Sequence, residues 1–239
     1  MKENTTKFTW CNLKIRKVLS AITATAIAVS LVSTCFASTT TMGETTKKIT
    51  AKDGRVVTVT YLNGTVEKVP DSHIQDILKN NPDGENIRIL EVGYAKPNAI
   101  TITPNVGLPT WTSPVIKTVF TEDELESDRF MDSCAKGEEK TESRDITAKL
   151  CPASDGNALA KIGLKLNGEI SYSIKKGTKL VGPPESSTRN SREYRCKFYR
   201  NTGIWERFGI ISGIPYYFWG NFSEPTYFES YSIDKLISR

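Results

Sequence analysis

The sequence predicts a mainly β protein, an antiparallel β-sandwich of about seven strands preceded by a small ββαβ module. Three observations predict it. In residues 158–175 (ALAKIGLKLNGEISYSIK), Ala158, Ala160, Ile162, Leu164, Leu166, Gly168, Ile170, Tyr172 and Ile174 fall on one side of a period-2 pattern, and polar residues dominate the other. In residues 191–200, Tyr194, Cys196 and Phe198 share one face while Glu193, Arg195, Lys197 and Tyr199 share the other. Beyond Arg200, turn pairs at Thr202-Gly203, Ser212-Gly213 and Gly220-Asn221 divide an aromatic-rich segment into short strands. Alternation of this kind suits a strand with one face on a core and the other in water.

Asn167-Gly168 is a strong hairpin signal, but a two-residue turn there would set Leu166 beside Glu169 and Ile170 beside Lys165. The expectation is therefore one long bent strand over 158–175, with Gly168 a bulge. Its expected antiparallel partner is 191–200, reached through the Gly/Pro/Ser-rich loop 177–190.

Taken in order, the chain starts with Lys2, Lys7, Lys14, Arg16 and Lys17 ahead of an apolar stretch, 18–32, and small residues at Cys35 and Ala37. That is the pattern of a cleaved signal peptide, residues 1–37; a retained membrane anchor or a lipid anchor on Cys35 is the alternative. In style, though not by a motif, the long basic leader resembles export signals of Gram-positive bacteria. Without these residues, 32 Lys+Arg become 27 and 27 Asp+Glu become 26, so the formal charge falls from +5 to near neutrality. The basic balance thus lies mostly in the leader and argues against nucleic acid.

Residues 38–95 form the expected ββαβ module, with 38–48 a loose polar tail. Segment 55–62 (RVVTVTYL) is rich in β-formers, and Asn63-Gly64 suits a type I′ turn returning through 65–69, with Tyr61 opposite Val66. Ser72 with Gln75 makes a capping box, and Ile74, Ile77 and Leu78 a short helical stripe. Segment 87–92 is the last strand. Residues 96–114, with four prolines, read as a surface linker, and 115–239 as the sandwich. A strand over 115–120 is expected to end at a second capping box, Thr121 with Glu124, that opens a short acidic helix (EDELESD). Its carboxylates lack the spacing of a calcium loop and suit a helix start.

Cys134 and Cys151 flank the charged loop KGEEKTESRD and a strand whose Ile146, Ala148 and Leu150 point inward. In an exported protein they are the expected disulfide, one of the three pairings possible once Cys196 is included, worth about 3 kcal/mol in the chain-entropy account. Cys196, between Tyr194 and Phe198, is expected to be a buried free thiol.

No catalytic site is expected. His73 is the one histidine and falls in an exposed first helical turn, G-x-S-x-G and metal-ligand clusters are missing, and S-x-x-K at Ser173/Lys176 and Ser232/Lys235 lacks companion motifs. No cofactor or metal is implied. Two surface features remain. Lys175, Lys176, Lys179, Arg189, Arg192 and Arg195 gather around the wide loop, where a cell-wall polymer or an anionic membrane surface would be attracted. Between Tyr194 and Tyr231 lie 13 of the 22 aromatic residues, and Trp205, Tyr217 and Trp219 are candidates to stack on glycan rings or enter a membrane interface. The expected protein is a secreted, non-catalytic, β-rich protein of the bacterial cell surface or exterior that binds an anionic or glycan surface ligand. A β-pore former is the alternative, because long amphipathic Ser/Thr/Lys-rich strands suit a barrel. A glycan-acting hydrolase is the weakest of the three readings.

Overall fold

In the computed structural model, residues 39–41, 43–96, 110–152 and 166–238 are described. The leader and residues 158–165 of the long alternating run lie outside them. In chain order the elements are β1 (Thr39–Thr41), β2 (Glu44–Thr50), β3 (Val56–Leu62), a 3-10 turn (Thr65–Glu67), α1 (Asp71–Asn80), β4 (Glu85–Tyr94) and β5 (Thr110–Trp111). They continue with β6 (Ile116–Ala135), β7 (Glu139–Thr141), β8 (Ile146–Leu150), β9 (Ile170–Ile174), β10 (Lys179–Val181), β11 (Ser191–Ile211) and β12 (Ile214–Lys235). The protein is mainly β.

Eight strands make one mixed sheet in the order β1-β2-β3-β4-β12-β11, with β5 and β6 both on the far side of β11. Among the described residues only β3 and β4 pair in parallel, joined through α1. The other pairs are antiparallel, including two short ribbons, β7–β10 and β8–β9. Among the described residues from 115 onward there are seven strands, but they are not the even set expected. β7 and β10 are three-residue stretches, the short strands expected beyond Arg200 are merged into β11 and β12, and three strands are unusually long. β6, β11 and β12 run 20, 21 and 22 residues, or roughly 65–70 Å each at the usual rise.

Each face of the sheet has its own cover. On one, Val57, Val59, Tyr61, Ile87, Ile89, Tyr231 and Ile233 pack against Ile74, Ile77 and Leu78 of α1, so the expected helical stripe is the helix's buried face. On the other, Cys196, Phe198 and Phe228 pack under Ala148, Ile170 and Ile174 of the β8–β9 ribbon and Leu180 of β10. A third cluster, Leu166, Trp205 and Phe222, lies further along the long strands. The apolar face expected in 191–200 is present, with Tyr194, Cys196 and Phe198 all buried on the ribbon side, but the face expected to meet water is covered too, with Lys197 and Tyr199 buried.

Several local expectations are corrected. Asn63 and Gly64 adopt the left-handed backbone of a type I′ turn (φ 52° and 69°), yet the chain then coils into the 3-10 turn rather than pairing back on β3. The place beside β3 is taken by β4, whose fully buried Ile87 and Ile89 lie opposite Val59 and Tyr61, a better fit to the core than the Lys68 and Val66 that the two-residue turn would bring there. The hairpin partner of β3 is β2, in the segment expected to be a loose tail, and Asp53-Gly54 turns between them with Arg55 Nε 2.7 Å from Asp53. α1 lacks the side-chain cap expected of Ser72, and Gln75 donates instead to the Thr50 carbonyl at 2.9 Å. The acidic segment 121–128 is not a helix start but part of β6. Glu124 and Glu126 reach Arg200, and Asp128 reaches Arg195, so cross-strand charge pairing with β11 outweighs the local capping signal.

The described part of the long alternating run is shorter than expected. β9 covers only Ile170–Ile174, and its partner is β8, not 191–200, which is occupied on both sides by β6 and β12. Asn167 is drawn to β12, its backbone N–H 2.8 Å from Glu224 and its side chain 3.0 Å from the Pro225 carbonyl, while Gly168 donates to Lys96. The turn signals in 202–221 divide. Ser212-Gly213 is the β11–β12 turn, with φ 51° and 78°. Gly203 and Gly220 lie inside strands, where a Cβ would collide with the Thr118 carbonyl and the Trp205 ring respectively. They serve close approach rather than chain reversal.

The expected disulfide is also corrected. Cys134 and Cys151 are both free thiols. Cys134 points under β10, 3.2 Å from the Glu138 carbonyl, whereas Cys151 lies on the outside against Glu169. Cys196 is the buried free thiol expected, and burial pushes its pKa up, as it does that of Cys134. Alkylation of the native protein, mapped by peptide mass spectrometry, should therefore mark Cys151 and spare Cys134 and Cys196 until the chain is unfolded. Recovery of a Cys134–Cys151 linked peptide under native conditions would overturn this arrangement.

Candidate functional site

The six basic residues of the wide loop do not converge. Arg192 is buried and forms a two-point contact with Asp234, at 2.6 and 3.1 Å, and a third hydrogen bond to the Val181 carbonyl. Arg195 lies on the opposite face of the sheet, 3.0 Å from both Asp128 and Glu193. Arg189 pairs with Glu85 at 2.6 Å and Lys179 with Glu139 at 2.5 Å. Lys175 and Lys176 are exposed after β9, and among the described residues neither ammonium has an acidic partner within 4 Å. The positive balance of this stretch is thus largely neutralised by carboxylates from β4, β6, β7 and β12.

The aromatic candidates also separate. Trp205 is core, 8% exposed among Leu166 and Phe222. Tyr217 and Trp219 are surface residues, 47% and 63% exposed. Both lie near the closed end of the β11–β12 hairpin, on the face that also presents Phe208, which packs against Tyr217 with ring centroids 4.9 Å apart. The Tyr217 phenol bonds to Glu206, which raises its pKa. The other face of the same end exposes Ile211, Ile214 and Tyr216. From Phe208 to Ser223 there is no Asp, Glu, Lys or Arg. An uncharged hairpin end exposing six large apolar side chains is unusual in a strand surface facing water, where charge normally blunts exposed strands. Deeper along the hairpin, polarity returns with the ion pair of Lys117 and Glu224 and with Arg207, whose guanidinium lies 4.4 Å from the Trp111 ring centroid.

A third cluster escaped sequence reasoning. On the α1 side, His73 Nδ1 lies 2.7 Å from Glu229 Oε1, and Tyr199 donates to Glu229 Oε2 at 2.9 Å. His73, Tyr199 and Tyr227 stack, with centroids 5.0 and 4.4 Å apart along the series. Lys197 sits in register between Asp128 and Glu229, 1% exposed, and desolvation lowers its pKa. Tyr231 donates to Asp128 at 2.7 Å. His73 is therefore half-buried and hydrogen-bonded, not free in solvent as expected. The one local signal was Glu229 itself, which falls in register with Tyr227, Tyr231 and Ile233 on an otherwise apolar face. The cluster is closed: Glu229 is fully buried and its oxygens are occupied by His73 and Tyr199. The hollow nearby, lined by Lys68, Pro70, Tyr94, Asp123, Thr226 and Tyr227, does not reach His73 or Glu229. Its chemistry is that of a buried polar layer fixing α1 on the sheet. Among the described residues no group of acidic, His and Cys side chains is arranged to hold a metal ion, and no helix is long and apolar enough to cross a membrane.

No protein family, curated protein or solved structure matches this chain.

Proposed function

We propose that this chain is an exported, non-catalytic surface-binding protein that attaches to a lipid bilayer through the aromatic end of its β11–β12 hairpin. One observation carries the proposal: residues 208–223 hold no charge, yet Phe208, Ile211, Ile214, Tyr216, Tyr217 and Trp219 are all exposed there. Trp and Tyr favour the headgroup level of a membrane, where the ring is half in hydrocarbon and its polar atom in water. A glycan site would need several free polar groups beside the rings, and the Tyr217 hydroxyl is engaged by Glu206. An anionic polymer would need open cations, and four of the six candidates are paired. Export rests on the basic leader and apolar stretch ahead of Ser38. The sandwich belongs to the same proposal in reduced form, with the β7–β10 and β8–β9 ribbons as a second layer over the long sheet.

The test is co-flotation of the full chain with phosphatidylcholine vesicles loaded with a self-quenching dye. Wild-type protein should float with the vesicles, and Tyr217→Ser with Trp219→Ser should lower the partition coefficient at least tenfold. Lys175→Glu with Lys176→Glu should leave it unchanged. Binding that survives the aromatic double variant would overturn the proposal. Dye release with oligomer formation would replace surface attachment by pore formation.

A further inference from the structure

We infer that the cleft between the ribbon-side face of the sheet and the β9–β10 segment binds a small amphipathic carboxylate, with Arg88 taking its head and Ser232 completing the site. The cleft has a volume of about 300 Å³, the lower end of what a ligand-sized site needs. Its floor is the row Arg88–Ser232–Tyr194, one residue from each of the adjacent strands β4, β12 and β11 in direct cross-strand register. Its walls are Leu90, Tyr172, Ile174 and Leu180. This is the division a ligand with a polar head and a short alkyl or aryl chain requires.

Two observations point to an occupant rather than to an accidental gap. Ser232 is fully buried and its hydroxyl has no hydrogen-bond partner, although it belongs to the lining of the cleft. Buried hydroxyls are normally satisfied, so an acceptor belongs beside it. The neighbouring Tyr194 hydroxyl cannot serve, being committed to both the N–H and the carbonyl of Val181 at 2.9 Å. The second observation is electrostatic. The lining holds Arg88, Lys179 and Arg192 against Glu91 alone. Arg192 is neutralised by the buried Asp234, but among the described residues Arg88 is held only by Glu44, at 3.1 Å, in a pair more than a third exposed on each side. Such a pair is easily exchanged for another carboxylate. Arg88 also borders a second hollow, of about 470 Å³. A planar guanidinium and a hydroxyl on adjacent strands match the two oxygens of a carboxylate.

Isothermal titration of the full chain with decanoate tests this, with acetate and decanol as the head and chain alone. Decanoate should bind saturably at one site, and acetate and decanol each at least tenfold more weakly. Arg88→Gln should weaken decanoate at least tenfold, and Glu44→Gln, which frees the guanidinium, should strengthen it several-fold. These opposite signs separate a role in binding from damage to the fold, which the thermal transition of each variant monitors. Binding must persist in Tyr217→Ser with Trp219→Ser, since the site is distinct from the hairpin end. Absence of saturable binding, equal affinity for decanol, loss in the aromatic double variant, or indifference to both the Arg88 and the Glu44 substitutions would each overturn the inference.

Discussion

Asp234→Ala should destabilise the fold by about 3–5 kcal/mol, the usual cost of removing one partner of a buried ion pair. Asp234 is fully buried in β12, and its two oxygens accept from Arg192 Nε and Nη2 at 2.6 and 3.1 Å. Asn86 adds a third donor at 3.2 Å. Arg192 is itself 6% exposed. With the carboxylate gone, its guanidinium would keep only neutral partners, the Val181 carbonyl and Tyr194, in a place where water cannot replace the lost charge. Against a typical total of about 5–15 kcal/mol, the loss is a large fraction of the native stability. Urea unfolding followed by far-ultraviolet circular dichroism measures it. Replacing both partners, Arg192→Met with Asp234→Leu, should recover much of the deficit, because no uncompensated charge remains. A change below about 1 kcal/mol for Asp234→Ala would mean that the pair is wetter than its burial implies.

Arg192 also shows where sequence reasoning stopped. Local pattern placed it correctly beside a strand whose Tyr194, Cys196 and Phe198 face a core, and the Ile74–Ile77–Leu78 stripe placed the buried face of α1. Both are properties of side-chain period, which short windows of sequence carry. Pairing is another matter. The cations read as an open patch meet carboxylates 42 to 104 residues away, Asp234, Asp128 and Glu85, and no local spacing reports such distances. The acidic run of β6 failed for the same reason: by itself it resembles a helix start, and only its register against Arg195 and Arg200 makes it a strand. Gly203 and Gly220 could equally have served turns or close approach, and the Thr118 carbonyl and the Trp205 ring decide which. The exposed hairpin end was the most legible part of the candidate site, because an uncharged aromatic stretch with Ser212-Gly213 at its centre is a purely local feature. The His73–Glu229–Tyr199 layer was the least legible, since its members are 126 to 156 residues from His73.

Raising the pH above 10 should unfold the protein steeply, and buried tyrosines are the reason. Desolvation raises the pKa of Tyr61, Tyr172, Tyr194, Tyr199, Tyr227 and Tyr231, that of Tyr61 to about 12. In each case the fold favours the neutral phenol. The stabilisation is then fully present below the unfolded value near 10 and is lost as pH climbs through the folded value. Each such group contributes a slope of about 1.4 kcal/mol per pH unit within that window, so six together remove several kcal/mol between about pH 10 and 11. Lys197 works the other way. Its pKa is lowered by burial, so between that lowered value and the ordinary lysine range the unfolded chain holds the extra proton and stability rises with pH. One lysine offsets only one tyrosine. Urea midpoints at pH 8, 9.5, 10.5 and 11, with tyrosinate absorbance recorded in parallel, should show the midpoint collapsing as phenolate appears in one cooperative step. Tyr61→Phe gives an internal check: the Tyr61 hydroxyl is buried without a partner, so the variant should be no less stable at pH 8 and should lose one proton from the alkaline slope. Midpoints that stay level from pH 9.5 to 11 would show that these phenols ionise in the folded state and that the aromatic layer is open to water.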